Sequence, residues 1–286
     1  MSQPRKHWVN VVLVLAILAL VGVSMVPIII GAFNQTQSST QKSANTTSGL
    51  SSSDQKSKLE DEARGYAQVL QREPENQTAL RGLLETRLQL LSLGMGDVKG
   101  VIEPLEKLAA LNPEQTRYAV LLAQAKQQIG DKEGAATAYR SVLEKKPGNL
   151  EALQGMVALL LTQKRPEAAI GLLQDTLNTA SKANKTQPGS VDTVAVQVLL
   201  GNVHASQKNY AQALSVYEQS INNDKQDFRP VLAKAMLLKE QGKALEAKTL
   251  FTQAAALAPV QYRDEINKQA SESPTPASTP TSTPTR

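Results

Sequence analysis

Apolar and polar positions split the 286-residue chain into four stretches. Val11 to Phe33 is uncharged over 23 residues. As a helix rising ~1.5 Å per residue it would span ~34 Å, enough for a ~30 Å hydrocarbon layer. Asn34 to Asp54 is Ser, Thr, Asn and Gln with almost no apolar side chain, so it cannot bury enough surface to offset ordering and predicts a flexible linker over 34–56. From Ser57 the apolar side chains return in paired helical segments cornered by Gly and Pro. Ser271 to Arg286 (SESPTPASTPTSTPTR) sets four prolines among Ser and Thr and predicts an extended tail over 271–286.

The middle stretch repeats itself. GDKEGAATAYRSVLEKKPGN, from Gly130 to Asn149, recurs in outline 34 residues later and again near the C-terminus as GKALEAKTLFTQAAALAPVQ. A small residue (Ala135, Ala247), an aromatic (Tyr139, Phe251) and a proline (Pro147, Pro259) hold matching offsets. A period of this length marks helix–turn–helix units that cannot bury their apolar faces alone and stack to share a core. Gly130 and Gly242 predict the end of a first helix, where a left-handed backbone costs little. Pro147 has no N–H with which to continue a helix, and so predicts the end of the second.

These landmarks resemble the tetratricopeptide repeat. Residues 116–149 fit best, through Ala123, Gly130, Ala135, Tyr139 and Pro147; residues 228–261 follow with Ala235, Gly242, Ala247, Phe251, Ala254 and Pro259. Residues 194–227 supply Gly201, Ala213 and Tyr217 but carry Lys225 in the proline slot. Residues 77–115 hold an excess near Leu90–Gly96, and residues 150–193 hold a longer one after Leu177. Upstream, 57–76 matches a second helix only, with Tyr66 in the aromatic slot, and 262–270 predicts a capping helix. The resemblance implies an all-α, right-handed solenoid of helix–turn–helix repeats over 57–270, joined to one N-terminal transmembrane helix over 9–33.

Trp8 at one edge suits a membrane interface, and the run is too long for the 7–15 apolar residues of a signal peptide. Arg5 and Lys6 precede it, whereas the first basic residue after it is Lys42. That asymmetry predicts a single-pass protein with residues 1–8 cytoplasmic and the repeats periplasmic or lumenal, in a plasma or thylakoid membrane. The sequons at Asn34, Asn45, Asn76 and Asn184 would matter only in a eukaryotic secretory compartment.

The chain has no cysteine, which removes disulfides and Cys-ligated metals. The net charge of +5 is scattered in pairs such as Lys145-Lys146 and Lys164-Arg165, with no basic stripe and interleaved aromatics of the kind nucleic acid requires. His7 lies at the membrane entrance, and His204 falls where a packed first-helix residue belongs. No metalloprotease, nucleophile-elbow or phosphate-loop motif is present, and Gly94-Met95-Gly96 lacks the strand a phosphate loop needs. The expectation is a non-enzyme without catalytic, cofactor or metal residues and without a small-molecule substrate.

The resemblance implies a concave face lined by the first helices, here Arg81, Glu85, Arg117, Gln124, Gln127, Glu151, Gln154, Asn202, Arg229, Met236 and Lys239. It implies a protein or peptide partner, and the layout is similar to single-span repeat proteins that aid photosystem assembly or attend a translocon. A structural role in the envelope or in division is the alternative. Asn202 has no second Asn to complete a two-carboxylate clamp, since Ala233 stands there, so a chaperone tail is not the expected ligand.

Overall fold

The computed structural model describes residues 52–271, and among them there are twelve α-helices and no strand. In order they are α1 (Ser52–Arg72), α2 (Gln77–Ser92), α3 (Lys99–Leu111), α4 (Thr116–Gln128), α5 (Lys132–Lys145) and α6 (Leu150–Thr162). There follow α7 (Pro166–Thr186), α8 (Thr193–Ser206), α9 (Tyr210–Asn223), α10 (Phe228–Glu240), α11 (Ala244–Leu257) and α12 (Val260–Ser271). None of these helices is long and apolar enough to cross a membrane. The segment 9–33 assigned to the bilayer, and most of the linker and tail, lie outside the described residues.

The chain divides into two compact units, one ending at Arg165 and one beginning at Pro166. In the first, each helix from α2 to α6 packs on its predecessor, and α4 also meets α6. In the second, each helix from α8 to α12 packs on its predecessor, and α8 meets α10. First helix on first helix, with second helices alternating, is the stacking of a tetratricopeptide-like solenoid within each unit. Leu80, Leu84, Val101, Leu105, Leu108, Ala123, Tyr139 and Val142 form the first core. Val231, Leu238, Phe251, Ala254 and Ile266 form much of the second.

The corners stand where the sequence puts them. Pro113, Pro147 and Pro259 each follow directly on the capping residue of a second helix (Asn112, Lys146, Ala258). Gly130 and Gly242 end first helices in the left-handed region, at φ 86° and 77°. In two other repeats a lysine takes that corner, Lys164 at φ 59° and Lys208 at φ 61°. A side chain there meets its own carbonyl at ~1–2 kcal/mol. Lys208→Gly is therefore expected to raise stability by ~0.5–1 kcal/mol once glycine's larger entropy loss is subtracted, read from the midpoint of chemical denaturation. Helix starts are fixed by side-chain caps. Asn76, Asp131, Asn149, Asp192 and Asp227 each accept the N–H of a residue in the turn that follows.

Three departures from the regular repeat have physical causes. Helix α1 begins at Ser52, inside the stretch read as linker, and buries Leu59. The excess after Leu177 is mostly helix: α7 runs for 21 residues, and Asn184 closes the short loop behind it. Its Oδ1 accepts from Val191 N at 2.9 Å and from Ser190 Oγ at 3.1 Å, while Nδ2 donates to Val191 O at 2.9 Å. Helix α3 carries Pro104 in its interior, where the missing N–H orphans the carbonyl of Gly100. The Arg87 guanidinium, from α2, donates to that carbonyl. Arg87→Met keeps the stem but removes the donor, and should cost ~1–2 kcal/mol in denaturation midpoint.

Candidate functional site

The eleven positions expected on the concave face all lie on first helices, seven in the first unit and four in the second. In the first unit, Arg81 and Glu85 on α2 and Glu151 on α6 are exposed, with Arg81 donating to Gln77 at 3.2 Å. Arg117, Gln124 and Gln127 on α4 and Gln154 on α6 are half-buried. Gln127 accepts from the Tyr139 hydroxyl at 3.4 Å. Because α4 and α6 pack side by side, Gln124 and Gln154 stand on neighbouring first helices. Neither side-chain amide makes a hydrogen bond among the described residues. In the second unit, three of the four positions already have partners within the chain.

Asn202 is a core residue, 5% exposed, whose Oδ1 accepts from Tyr217 at 2.7 Å. Ten of the fourteen residues of α8 are buried, so this helix is apolar nearly all round and keeps no free polar face at Asn202. Arg229 is committed to two carboxylates. It donates to Asp227 at 2.6 Å and to Asp192 at 2.6 Å, joining the N-caps of α8 and α10. Lys239 donates to the carbonyl of Gln269 on α12 and lies 5.9 Å over the Phe251 ring. Met236 packs against the second core.

The electrostatics fit a packed scaffold. Burial pushes the Tyr139 hydroxyl up to about 12 and the Tyr217 hydroxyl higher still, with Glu240 adding to the latter. Burial raises the Asp192 carboxyl, but the hydrogen bonds and charge of Arg229 and the N–H of Ala195 outweigh it and hold the group below its ordinary value. His204 on α8 is lowered by burial against a smaller pull from Glu167 on α7, and its Nδ1 is buried without a partner. That is a packed neutral imidazole. Among the described residues no three His, Cys, Asp or Glu converge as a metal site.

Sequence reasoning missed a recurrent socket. At Gly82 and Gly155 an added Cβ would overlap the ring of the preceding tyrosine, Tyr66 or Tyr139; at Gly201 it would overlap Tyr217 of the same hairpin. The signal available was a glycine inside each of α2, α6 and α8, unusual where no corner is needed. The acidic caps Asp192 and Asp227 were also missed, although each directly precedes a first helix.

Comparison with known proteins follows this geometry. The profile of the tetratricopeptide repeat matches residues 91–259. The protein SLOW GREEN 1, chloroplastic, of Arabidopsis thaliana is 27% identical over 199 residues, 70% of this chain and 60% of its own length. Cellulose synthase operon protein C of Pseudomonas fluorescens is 27% identical over 141 residues, 49% of this chain and 11% of its own. The chain thus spans less than two thirds of these curated relatives. Among solved structures, yeast Tom70 aligns at TM-score 0.48 with 16% identity, over 73% of this chain and 42% of that one. A tetratricopeptide repeat protein from Parabacteroides merdae aligns at 0.46 with 13% identity, over 76% and 79%. With its profile matched over more than half the sequence, and the Gly and Pro corners in phase, the chain belongs to the tetratricopeptide repeat family.

Proposed function

We propose that this protein is a membrane-tethered interaction scaffold that binds a partner protein or peptide on its first-helix face and aids assembly of a membrane protein complex. The observation that carries the reading is the row of side chains on α2, α4 and α6 that packing leaves available. Gln124 and Gln154 are half-buried amides whose side chains make no internal hydrogen bond, and Glu85 on α2 and Glu151 on α6 are exposed. An amide both donates and accepts, which suits the main chain of an extended segment. The uncharged run 11–33 supplies the tether, and the charge asymmetry around it sets the repeats on the periplasmic or lumenal side. A chloroplast relative favours a photosynthetic membrane as the setting.

The test is site-specific photo-cross-linking in native membranes. A photoreactive residue at Gln124 or Gln154 should capture integral membrane subunits, and the same residue at Thr137, on the exposed side of α5, should not. Capture of peptidoglycan-associated proteins would replace assembly with an envelope role. Digestion of the repeats by protease added to the cytoplasmic face of sealed vesicles would reverse the orientation.

A further inference from the structure

We propose that one edge of the first unit docks on the headgroup region of an anionic lipid bilayer. The inference rests on the tether assigned to 11–33 and adds to it the surface that meets the membrane. Short links, and the packing of each helix on its predecessor, make α1 to α6 alternate in direction. The start of α1 and the ends of α2, α4 and α6 therefore share one edge. The corners at Pro74, Pro113 and Pro147 share the opposite one.

The two edges differ in chemistry. On the first, Leu93 and Ile129, the C-caps of α2 and α4, are each 39% exposed at equivalent corners of successive hairpins. Around them Lys58, Lys99, Lys132, Lys164 and Arg165 are exposed and hold no ion-pair partner among the described residues. The carboxylates of this edge are turned to helix starts. Asp97 accepts from Lys99 N, and Asp131 accepts from Gly134 N with Lys126 3.9 Å away. Asp54 and Glu133 lie in the first turns of α1 and α5, where the dipole offsets negative charge. On the opposite edge Glu73, Glu75 and Glu114 are exposed. The lysines there, Lys145 and Lys146, are committed to the carbonyls of Pro113 and Glu114 at 3.1 and 3.3 Å.

The occupant follows from where the chain enters. Residues 34–51 separate the uncharged run from the start of α1. As the coil its composition predicts, a link of that length has a root-mean-square span of ~23 Å. The 16-residue helix α2 is itself ~24 Å long. The entry edge is thus held about one link span from the bilayer, and the proline edge about twice as far. A short link keeps its cargo at an effective concentration on the order of mM, so weak contacts suffice. Two aliphatic side chains among unpaired cations suit an anionic interface, the aliphatics entering the headgroup boundary and the cations meeting lipid phosphates.

The chain has no cysteine, so single probes can be placed at will. The full chain carrying Leu93→Cys or Ile129→Cys is labelled with an environment-sensitive fluorophore. It is then reconstituted into vesicles containing phosphatidylglycerol and a spin-labelled quencher lipid. The same label at Glu114→Cys, on the proline edge, is the reference. The expected result is blue-shifted, lipid-quenched emission from Leu93→Cys and Ile129→Cys, and unquenched, aqueous emission from Glu114→Cys. Adding Lys132→Glu with Lys164→Glu to the Ile129→Cys chain should abolish the quenching, while circular dichroism shows the helices intact and an alkaline carbonate wash leaves the chain in the vesicles. Equal quenching at both edges, or quenching unmoved by the charge reversal, would overturn the docking and leave the tether standing. Release of the full chain by the carbonate wash would overturn the tether and the docking with it.

Discussion

Tyr139→Ala is expected to cost the first unit ~3–5 kcal/mol, the range for emptying a buried aromatic site. The ring is 1% exposed and sits between α5 and α6 in the space Gly155 leaves open. Gly155→Ala attacks the same contact from the other side. Helix propensity alone would reward that change by ~1 kcal/mol, but the new methyl overlaps a ring with no room to move, and overpacking costs ~1–3 kcal/mol. Sterics should win, with a net loss. Gly65→Ala is the internal control: it lies in α1 with nothing within 4 Å of the added atom, so it should gain. Chemical denaturation of the three variants checks the set. Equal gains for Gly155→Ala and Gly65→Ala would mean the socket is not closed.

Arg229→Ala should lose ~1.5–3 kcal/mol, as expected for hydrogen bonds between charged groups that leave a partner behind. The side chain is 30% exposed, and Asp227 beneath it is 13% exposed, so solvent cannot replace both contacts. Arg229→Lys should recover only part, because an ammonium cannot present a planar fork to two carboxylates. The pH dependence follows from Asp192, whose folded form titrates below its ordinary value. A lowered carboxyl adds stability above the ordinary carboxylate range, near pH ~4, and that stability is lost as pH falls through the folded value. The gap between wild type and Arg229→Ala should therefore narrow on acidification. Thermal melts between neutral pH and pH ~3 would show it, and a constant gap would remove Asp192 from the network.

The corners were legible because Gly and Pro constrain the backbone whatever surrounds them. Gly130, Gly242, Pro113, Pro147 and Pro259 act through φ and a missing N–H, both local. Lys164 and Lys208 take the same left-handed corner without a side-chain preference for it; both are exposed, and the backbone bonds that close each helix end (Arg165 N to Leu160 O, Asn209 N to His204 O) hold them there. The candidate face was legible only by helix register. Register puts Asn202, Arg229 and Lys239 on first helices, but it cannot reveal that Tyr217, the Asp192–Asp227 pair and Gln269 already occupy them. Tyr217, Gln269 and Asp192 lie 15, 30 and 37 residues from the side chains they engage, and only Asp227 is a near neighbour, two residues from Arg229. In the same way Pro104 announces an orphaned carbonyl, while its remedy, Arg87, stands on another helix.

The loop behind α7 has a practical consequence for anyone producing this protein. Asn184 is followed by Lys185 and Thr186, a site that oligosaccharyltransferase can modify as the chain emerges into an endoplasmic reticulum. A glycan on that amide would occupy the space in which it grips Ser190 and Val191. Yeast or mammalian secretion would then yield a sugar-bearing, misfolded fraction, which a bacterial host or an Asn184→Asp, Thr186→Val pair of alternatives would separate into its glycan and hydrogen-bond contributions.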